Sequence, residues 1–297
     1  MTTLNAPTVL IGAGQWGKTV ARKAHTLPWY QITGVYDPST IQSMPLVSEL
    51  NTAKYYDNQR DACTGCTHAI IATPAHTDRY TQLAICLDAG IRNIRIEKPI
   101  ALEYDESLEL IDLANQANAT LTVGHTSVYY KCLPYLAGLV ASLEKQKQLK
   151  LTFRRMSRTS PRHTSTPIFD LSVHCLALHR AIRPNEWKDS LPIVTHAEHT
   201  ENASWFALSD GSIFEAAFNS EKDVRGIGLN ETDYYDEISQ RIVSKGVLYH
   251  ESFFDPLGVE LAGWASGKRF DPLVAAEIVG VAATAQRLHS EAKYVVG

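Results

Sequence analysis

The chain has 297 residues, of which 44% are hydrophobic and 20% charged, and its formal net charge is −4. This length and apolar content are enough to form the cores of two domains. The charged residues form no long run of one sign, which excludes an obvious nucleic-acid or anionic-membrane partner. No apolar run reaches the roughly 18 residues of a membrane span, and residues 1–7 lack signal-peptide features. We therefore expect a cytoplasmic protein.

The first motif is a glycine-rich turn between a short apolar run, residues 8–11, and a segment of helical character, residues 18–27. The order strand, Gly-x-Gly-x-x-Gly, helix is typical of a dinucleotide-binding loop. In such a loop the glycines permit a tight turn, a close approach to the pyrophosphate, and close packing of helix on strand. The predicted cofactor contacts here are Gly12, Gly14, Gln15, Trp16 and Gly17.

An acidic residue follows at the expected distance. Residues 31–36 predict a second strand, which ends at Asp37, twenty residues after Gly17. A carboxylate at this position binds the adenosine ribose hydroxyls and repels a 2′-phosphate. Taken alone, Asp37 would be better explained as a turn residue before Pro38. Together with the glycine loop it predicts NAD as the cofactor, with NADP disfavoured.

Strand and helix signals continue to alternate up to residue 125. Residues 67–72 predict a strand that ends at Thr73-Pro74, residues 77–89 a helix, residues 104–118 a helix, and residues 120–124 a strand. Repeated β-α-β units of this length imply a parallel, doubly wound sheet. We expect residues 1–125 to form a Rossmann domain.

The stretch at residues 94–102 places a lysine at a strand end. Ile94 and Ile96 alternate as in a short strand, and Pro99 ends it. Lys98 would then lie at the carboxyl end of a parallel strand, the edge where ligands bind in α/β sheets. A surface lysine paired with Glu97 is the simpler interpretation of these two residues alone.

The remaining residues, 126–297, predict a second domain of the α+β type with an open, mostly antiparallel sheet. The predicted elements are a helix at 129–143, a strand at 149–155, a helix at 168–182, five strands at 193–199, 204–208, 213–218, 224–229 and 242–249, and a long helix at 272–292. The last helix is suited to covering the open sheet or packing back on the first domain.

Two groups of polar residues in the second domain are candidates for chemistry. Asp170 and His174 are four residues apart and share a helix face, as a general base and its orienting carboxylate would; a structural pair is the alternative. Residues 156–167 form a polar segment in a region rich in basic residues. This segment is either a solvated surface or a cover for an anionic substrate. The basic residues are Arg154, Arg155, Arg158, Arg162 and His163.

The five cysteines are scattered through the chain, so reduced thiols are expected. Cys63 and Cys66 have the spacing of a redox pair or half a zinc site. No second Cys-x-x-Cys or His-x-x-x-His accompanies them, and no metal is predicted.

These motifs, in this order and spacing, resemble the Gfo/Idh/MocA oxidoreductases, named for glucose-fructose oxidoreductase and inositol dehydrogenase. They are the glycine loop, Asp37, Thr73-Pro74, Glu97-Lys98-Pro99, Gly124-His125 and the Asp170 and His174 pair. The resemblance implies a Rossmann domain followed by a substrate domain whose sheet mediates a homodimer or homotetramer. It also implies catalysis by Lys98, Asp170 and His174, cofactor contacts from Thr73, Pro74, Glu97 and Lys98, and a carbohydrate substrate near His125 and Tyr129. The basic polar segment adds Arg158 and Arg162 as candidate substrate contacts.

Some positions depart from the family pattern. Asp78 replaces a usual histidine, Ser172 a usual glycine, Ala177 a usual acidic residue, and Val128 stands near a usual arginine. The main hypothesis is an NAD-dependent dehydrogenase or reductase acting on a hydroxyl or ketone of a sugar, cyclitol or nucleotide-linked sugar. The alternatives are a reductase of imines or other non-carbohydrate substrates, and a non-catalytic NAD-binding sensor or scaffold.

Overall fold

The computed structural model describes residues 4–159, 166–251 and 255–295. The chain divides into two compact units, which are residues 1–126 with 255–276 and residues 127–254 with 277–297. No helix in the described part of the chain has the length and apolar character of a membrane span.

The first unit contains a parallel sheet of six strands in the order β3-β2-β1-β4-β5-β6. The strands are β1 (Ala6–Ile11), β2 (Tyr30–Tyr36), β3 (Lys54–Tyr56), β4 (His68–Ile71), β5 (Asn93–Glu97) and β6 (Thr120–Gly124). The helices are α1 (Gln15–His25), α2 (Thr40–Leu50), α3 (Gln59–Cys63), α4 (Arg79–Asp88), α5 (Tyr104–Gln116) and α8 (Pro256–Ala265). The strand order reverses at β1, and the carboxyl ends of β1 and β4 flank the crevice where dinucleotides bind in such sheets.

The sequence predicts a second domain containing all residues from 126 onward. The structure differs for the segment 255–276, which belongs to the first unit. Its helix α8 begins after Asp255, whose side chain accepts the Gly258 N–H, and has Pro256 in its first turn. Leu257, Leu261 and Trp264 pack into the same apolar core as β1 and β2. Burial of this apolar face against the Rossmann sheet explains why the segment belongs to the first unit.

The second unit contains a sheet of eight strands in the order β14-β13-β12-β11-β7-β10-β9-β8, in which only β7 and β10 pair parallel. The strands are β7 (Thr152–Met156), β8 (Val194–His199), β9 (Ala203–Leu208), β10 (Ile213–Ala217), β11 (Val224–Gly228), β12 (Tyr234–Asp236), β13 (Arg241–Ser244) and β14 (Val247–Glu251). The helices are α6 (Leu133–Lys145) and α7 (Val173–Ile182); α9 (Pro272–Val295) begins in the first unit and continues into the second.

The fold class is as predicted, but several elements differ. The predicted strand at 242–249 is a hairpin, because Lys245 and Gly246 adopt positive φ angles of 50° and 74° and reverse the chain. The strands β3 and β12 and the helices α2, α3 and α8 were not predicted. The predicted helix at 168–182 begins with a π-helical turn, Ile168–Ser172, before α7.

A buried histidine fixes α7 on the sheet of the second unit. The indole Nε1 of Trp187 donates to His179 Nδ1 at 2.9 Å, and His179 Nε2 lies 2.9 Å from Asp210 Oδ2. Since an indole N–H can only donate, Nδ1 accepts and Nε2 donates to the carboxylate. Burial acts to raise the pKa of the Asp210 carboxyl, but hydrogen bonds from His179 and Ser212 outweigh burial and lower that pKa. These contacts connect α7 to the β9–β10 turn.

Candidate active site

Two glycines of the loop after β1 are required by packing within the chain. Gly12 has a φ of +92°, and a Cβ there would lie 2.9 Å from the backbone of Ala72 and Thr73. A Cβ at Gly17 would lie 2.1 Å from the carbonyl oxygen of Gly12. The first glycine therefore provides the turn, and the third lets α1 pack against it.

Gly14 has a different environment. Apart from its chain neighbours and its own helix backbone, a Cβ at this position would meet no atom of the described residues within 4 Å. Gly14 is also the N-cap of α1, a helix with no side-chain cap and no acidic residue in its first turn. Its first backbone N–H groups and the positive end of its dipole can therefore act on an anion. This loop fits the pyrophosphate of a dinucleotide.

Two alanine substitutions should separate packing from ligand binding. Gly17→Ala should lower the free energy of unfolding by about 2 kcal/mol or more, because its Cβ overlaps the Gly12 carbonyl. Gly14→Ala should keep the thermal midpoint of the wild type and weaken NAD binding roughly tenfold or more, since the added methyl would keep the pyrophosphate from the backbone. Thermal denaturation and calorimetric titration with NAD measure both effects. Equal NAD affinity in Gly14→Ala and wild type would contradict the assignment.

Asp37 follows β2 at the same edge of the sheet. Its Oδ2 accepts the Ala13 N–H at 2.7 Å, and its Oδ1 accepts the Ser39 N–H at 2.8 Å. The carboxylate thus fixes both its own turn and the glycine loop. Each carboxylate oxygen can accept a further hydrogen bond, so ribose hydroxyls could still bind here.

Glu97, the last residue of β5, connects the lysine motif to the glycine loop. Its Oε1 accepts hydrogen bonds from Trp16 Nε1 and from the Arg95 guanidinium, each at 2.6 Å. Trp16 is 39% exposed, whereas the Glu97 residue is only 5% exposed. One buried carboxylate therefore orients an exposed indole of the proposed cofactor loop. Glu97 is therefore a buried carboxylate that bonds Arg95 and Trp16, and not a surface carboxylate.

Arg95 is fully buried and interacts with two carboxylates. Besides Glu97, it binds Glu260 of α8, with Nε donating to Oε1 at 2.7 Å. Thr126 donates to the other oxygen of Glu260 at 2.9 Å. A Cβ at Gly124 would lie 2.2 Å from the Arg95 guanidinium, so the glycine of the Gly124-His125 motif leaves room for this arginine.

Lys98 follows directly after β5 and is half-buried, with a cis peptide bond to Pro99. Thr73 and Pro74 follow β4 at the same edge, and the Thr73 hydroxyl donates to the Gln82 side chain at 2.7 Å. Because all six strands are parallel, the glycine loop, Asp37, Thr73 and Lys98 all lie at the carboxyl edge of one sheet.

Asp170 and His174 lie in the second unit, in the π-helical turn and in α7. In the stretch from residue 167 to residue 179, Asp170 and His174 are half-buried, and all the remaining residues are buried. They therefore share the accessible strip of an otherwise buried segment, although Asp170 lies in the π-helical turn and not in a regular α-helix.

The arginines of the predicted polar segment have separate environments. Arg155 lies in β7, is buried, and donates to both carboxylate oxygens of Glu237 at 3.0 and 3.1 Å. Arg154 pairs with Glu215 on the exposed face of the sheet. Arg158 is exposed, and its backbone N–H donates to Asp223. Arg162 and His163 lie outside the described residues.

The two remaining predicted substrate residues follow β6. His125 is buried at 1% exposure, with its ring 4.7 Å from that of Phe270. Tyr129 ends a short 3-10 helix and is half-buried. Tyr129 is therefore more accessible to a substrate than His125 is.

The cysteines are all free thiols. Cys63 Sγ lies 3.9 Å from Cys86 Sγ, and Cys66 Sγ lies 3.4 Å from the Thr33 hydroxyl, so the Cys-x-x-Cys spacing does not create a disulfide. Within the described residues, no group of three or more His, Cys, Asp or Glu side chains is arranged to hold a metal ion.

Comparison with known proteins finds a family resemblance over the Rossmann domain. Residues 7–125 match the model of the GFO_IDH_MocA family, described as an oxidoreductase family with an NAD-binding Rossmann fold. The match agrees with the predicted parallel sheet and with the predicted NAD cofactor.

Relatives extend the similarity beyond the Rossmann domain. UDP-N-acetylglucosamine 3-dehydrogenase of Acidithiobacillus ferrooxidans is 27% identical over 71% of this chain and 66% of its own length, just under two thirds. Its solved structure has a TM-score of 0.75 at 18% identity and covers 97% of this chain and 99% of its own. Myo-inositol 2-dehydrogenase of Lactobacillus plantarum has a TM-score of 0.74 at 14% identity, covering 97% and 98%. The enzyme GenD2 of gentamicin A biosynthesis, solved with NAD, has a TM-score of 0.73 at 14% identity, covering 98% and 96%. The structural likenesses show a shared two-domain fold.

The departures from the Gfo/Idh/MocA pattern have structural roles in this chain. Asp78 caps α4 by accepting the Thr81 N–H at 2.9 Å. Ser172 and Ala177 are each 1% exposed, so an acidic residue at 177 would need a buried partner. Capping therefore explains Asp78, and burial explains the small apolar Ala177.

Sequence reasoning missed three buried charged residues of the first unit, Arg79, Arg95 and Glu260. One signal was present, because Arg95 interrupts the apolar pair Ile94 and Ile96 in the middle of a strand buried on both faces. A charge at such a position requires a buried partner. The identity of that partner, 165 residues away, carried no local signal.

Proposed function

We propose that this chain is an NAD-dependent dehydrogenase or reductase acting on a secondary hydroxyl or ketone of a sugar, cyclitol or nucleotide-linked sugar. The observation that carries the proposal is the position of Lys98, at the carboxyl end of β5 and at the same sheet edge as the glycine loop and Asp37. An ammonium at that edge can stabilise negative charge on a substrate oxygen.

The cofactor would be held by the first unit. The N–H groups at the start of α1 would bind the pyrophosphate, and Asp37 would bind the adenosine ribose, which disfavours NADP. Trp16, fixed by Glu97, would border the cofactor, together with Gln15, Thr73 and Pro74. When bound, NAD accepts or donates hydride at the nicotinamide ring.

The proton chemistry is assigned to three residues. In the oxidation direction His174 would accept the proton of the substrate hydroxyl, and Asp170 would orient the imidazole and stabilise its charged form. Lys98 would stabilise the oxygen as negative charge develops on it. In the reverse direction the same groups would reduce a ketone. The names of two relatives, a UDP-N-acetylglucosamine 3-dehydrogenase and a myo-inositol 2-dehydrogenase, support this substrate class.

The proposal includes a homodimer or homotetramer formed through the sheet of the second unit. Along β9 and β10 the residues Phe206 and Phe214 are buried, while Trp205 and Ile213 on the opposite face are half-buried. A partly apolar, open sheet face suits self-association. A cytoplasmic location completes the proposal, in line with five free thiols. Analytical ultracentrifugation of the full chain tests the oligomer.

The activity is tested with a substrate panel. Purified protein is incubated with NAD or NADP and with polyols, inositols, UDP-sugars and dTDP-sugars, and absorbance at the nicotinamide band is followed. We expect turnover with at least one carbohydrate and a preference for NAD of about tenfold or more. NAD binding without turnover on any member, in both directions, would favour the sensor hypothesis; turnover restricted to imines would favour the reductase alternative.

A further inference from the structure

Arg79 is the first residue of α4, and its side chain is buried at 3% exposure. Its Nη1 donates to the carbonyl oxygens of Glu97 at 2.7 Å and Ile100 at 3.1 Å, and also to that of Pro99. Its Nη2 donates to the carbonyl oxygen of Thr73. One guanidinium therefore bonds the backbone on both sides of Lys98 and the loop after β4.

These carbonyl groups lie at the last residue of β5 or in the loops after β4 and β5, where the sheet no longer supplies every hydrogen-bond donor. A buried carbonyl without a donor is destabilising, and a charged donor satisfies it more strongly than a neutral one. Burial lowers the pKa of Arg79 to about 10, an effect that the Glu97 charge opposes. The guanidinium thus keeps its proton at neutral pH and remains a donor to all four carbonyl groups.

We propose that Arg79 is a positioning residue for Lys98, fixing the backbone of residues 97–100 so that the lysine ammonium is held at the sheet edge. The same side chain fixes Thr73, so the lysine segment and the predicted cofactor segment share one anchor. This inference rests on the proposed function, since it gives the ordering of Lys98 a catalytic purpose. Its structural part can be measured without any substrate.

The chemistry of arginine suits this role better than that of lysine. A planar guanidinium presents five N–H donors in a fixed fork, so it can bond several carbonyl groups from different segments together. A lysine ammonium is a compact donor on a flexible stem and could reach one of the two loops at a time. Arg79→Lys therefore retains the charge and removes the bridge.

The experiment compares Arg79→Met, Arg79→Lys and a matched control, Arg92→Met, in the full chain. Arg92 also donates to backbone carbonyl groups, those of Leu87 and Ile91 at 2.8 and 3.0 Å, but at the opposite end of β5. Hydrogen exchange of the peptide covering residues 97–102 is measured by mass spectrometry, with and without NAD. Values of kcat and KM are measured with the best substrate of the panel.

We expect exchange in residues 97–102 to be about tenfold faster in Arg79→Met, smaller but clear acceleration in Arg79→Lys, and no change in Arg92→Met. We expect kcat to fall about 10- to 100-fold in Arg79→Met, with the sugar KM within about threefold, because misplacement of a catalytic group affects the transition state most. If Arg79→Met does not fold, the same measurements on Arg79→Lys still test the proposal.

Unchanged exchange and unchanged kcat in Arg79→Met and Arg79→Lys would overturn the proposal. Equal acceleration of exchange in the Arg79 variants and Arg92→Met would also overturn it, since the effect would then be general destabilisation. A failure of the proposed function is recognised separately. If Lys98→Met retains wild-type turnover while Arg79→Met still loses protection at residues 97–102, the ordering by Arg79 stands and the catalytic role of Lys98 is wrong.

Discussion

Replacing Lys98 by methionine should lower kcat by about a thousandfold and leave the dissociation constant of NAD within about threefold. Methionine has a similar length and removes the charge, so the strand end keeps its packing while the substrate oxygen loses its electrostatic partner. The proposed cofactor contacts, at the start of α1 and at Asp37, are unaffected because they lie on other strands of the sheet. Steady-state kinetics and calorimetric titration with NAD measure the two quantities.

The control is Lys145→Met, which removes an exposed lysine from the last turn of α6. This variant should have wild-type kcat and KM. Turnover of Lys98→Met at the level of the control would show that the chemistry has been assigned to the wrong residue. A large loss of NAD affinity in Lys98→Met would instead make this lysine mainly a cofactor ligand.

The first unit was largely predictable because its signals are local. Gly17 is required by its contact with Gly12, five residues before it, and Gly12 also by its own positive φ. Asp37 is recognised by its distance in sequence from that loop. The position of Lys98 at a strand end followed from the alternation before it and the proline after it. Short-range sterics thus determine these features, and a single sequence contains them.

Other features depend on contacts that are distant in sequence. The environment of Glu97 includes Trp16, 81 residues before it, and the partner of Arg95 lies in α8. The segment 255–276 was assigned to the wrong domain for the same reason, because its membership is decided by burial of α8 and not by chain order. Similarly, Arg155 was grouped with a polar segment although its place in β7 requires a buried carboxylate, which Glu237 supplies.

Replacing Arg95 by methionine should produce the largest loss of stability among single substitutions in the first unit. The side chains of Arg95, Glu97 and Glu260 are 0%, 6% and 4% exposed, so the variant would bury two carboxylates without their cation. We expect the free energy of unfolding to fall by about 3–5 kcal/mol at pH 7. Chemical denaturation of the full chain measures the change. The control Arg22→Met breaks a solvent-exposed pair with Glu49 and should shift the thermal midpoint little.

The pH dependence distinguishes unpaired charge from lost packing. Burial raises the pKa of the Glu260 carboxyl in the wild type, and the Arg95 charge opposes this rise, so the pKa of Glu260 should increase further in Arg95→Met. A group whose pKa is higher in the folded state stabilises the protein below its unfolded pKa, and this contribution is lost as pH rises through the folded value. The loss of unfolding free energy in Arg95→Met relative to wild type should therefore be smaller at pH 5 than at pH 8.

A double variant provides a second test. Arg95→Met/Glu260→Met, which removes one of the two carboxylates, should regain part of the lost stability at pH 8. A deficit that is equal at both pH values and undiminished in the double variant would mean that Arg95 stabilises the unit by filling space, with no net contribution from its charge.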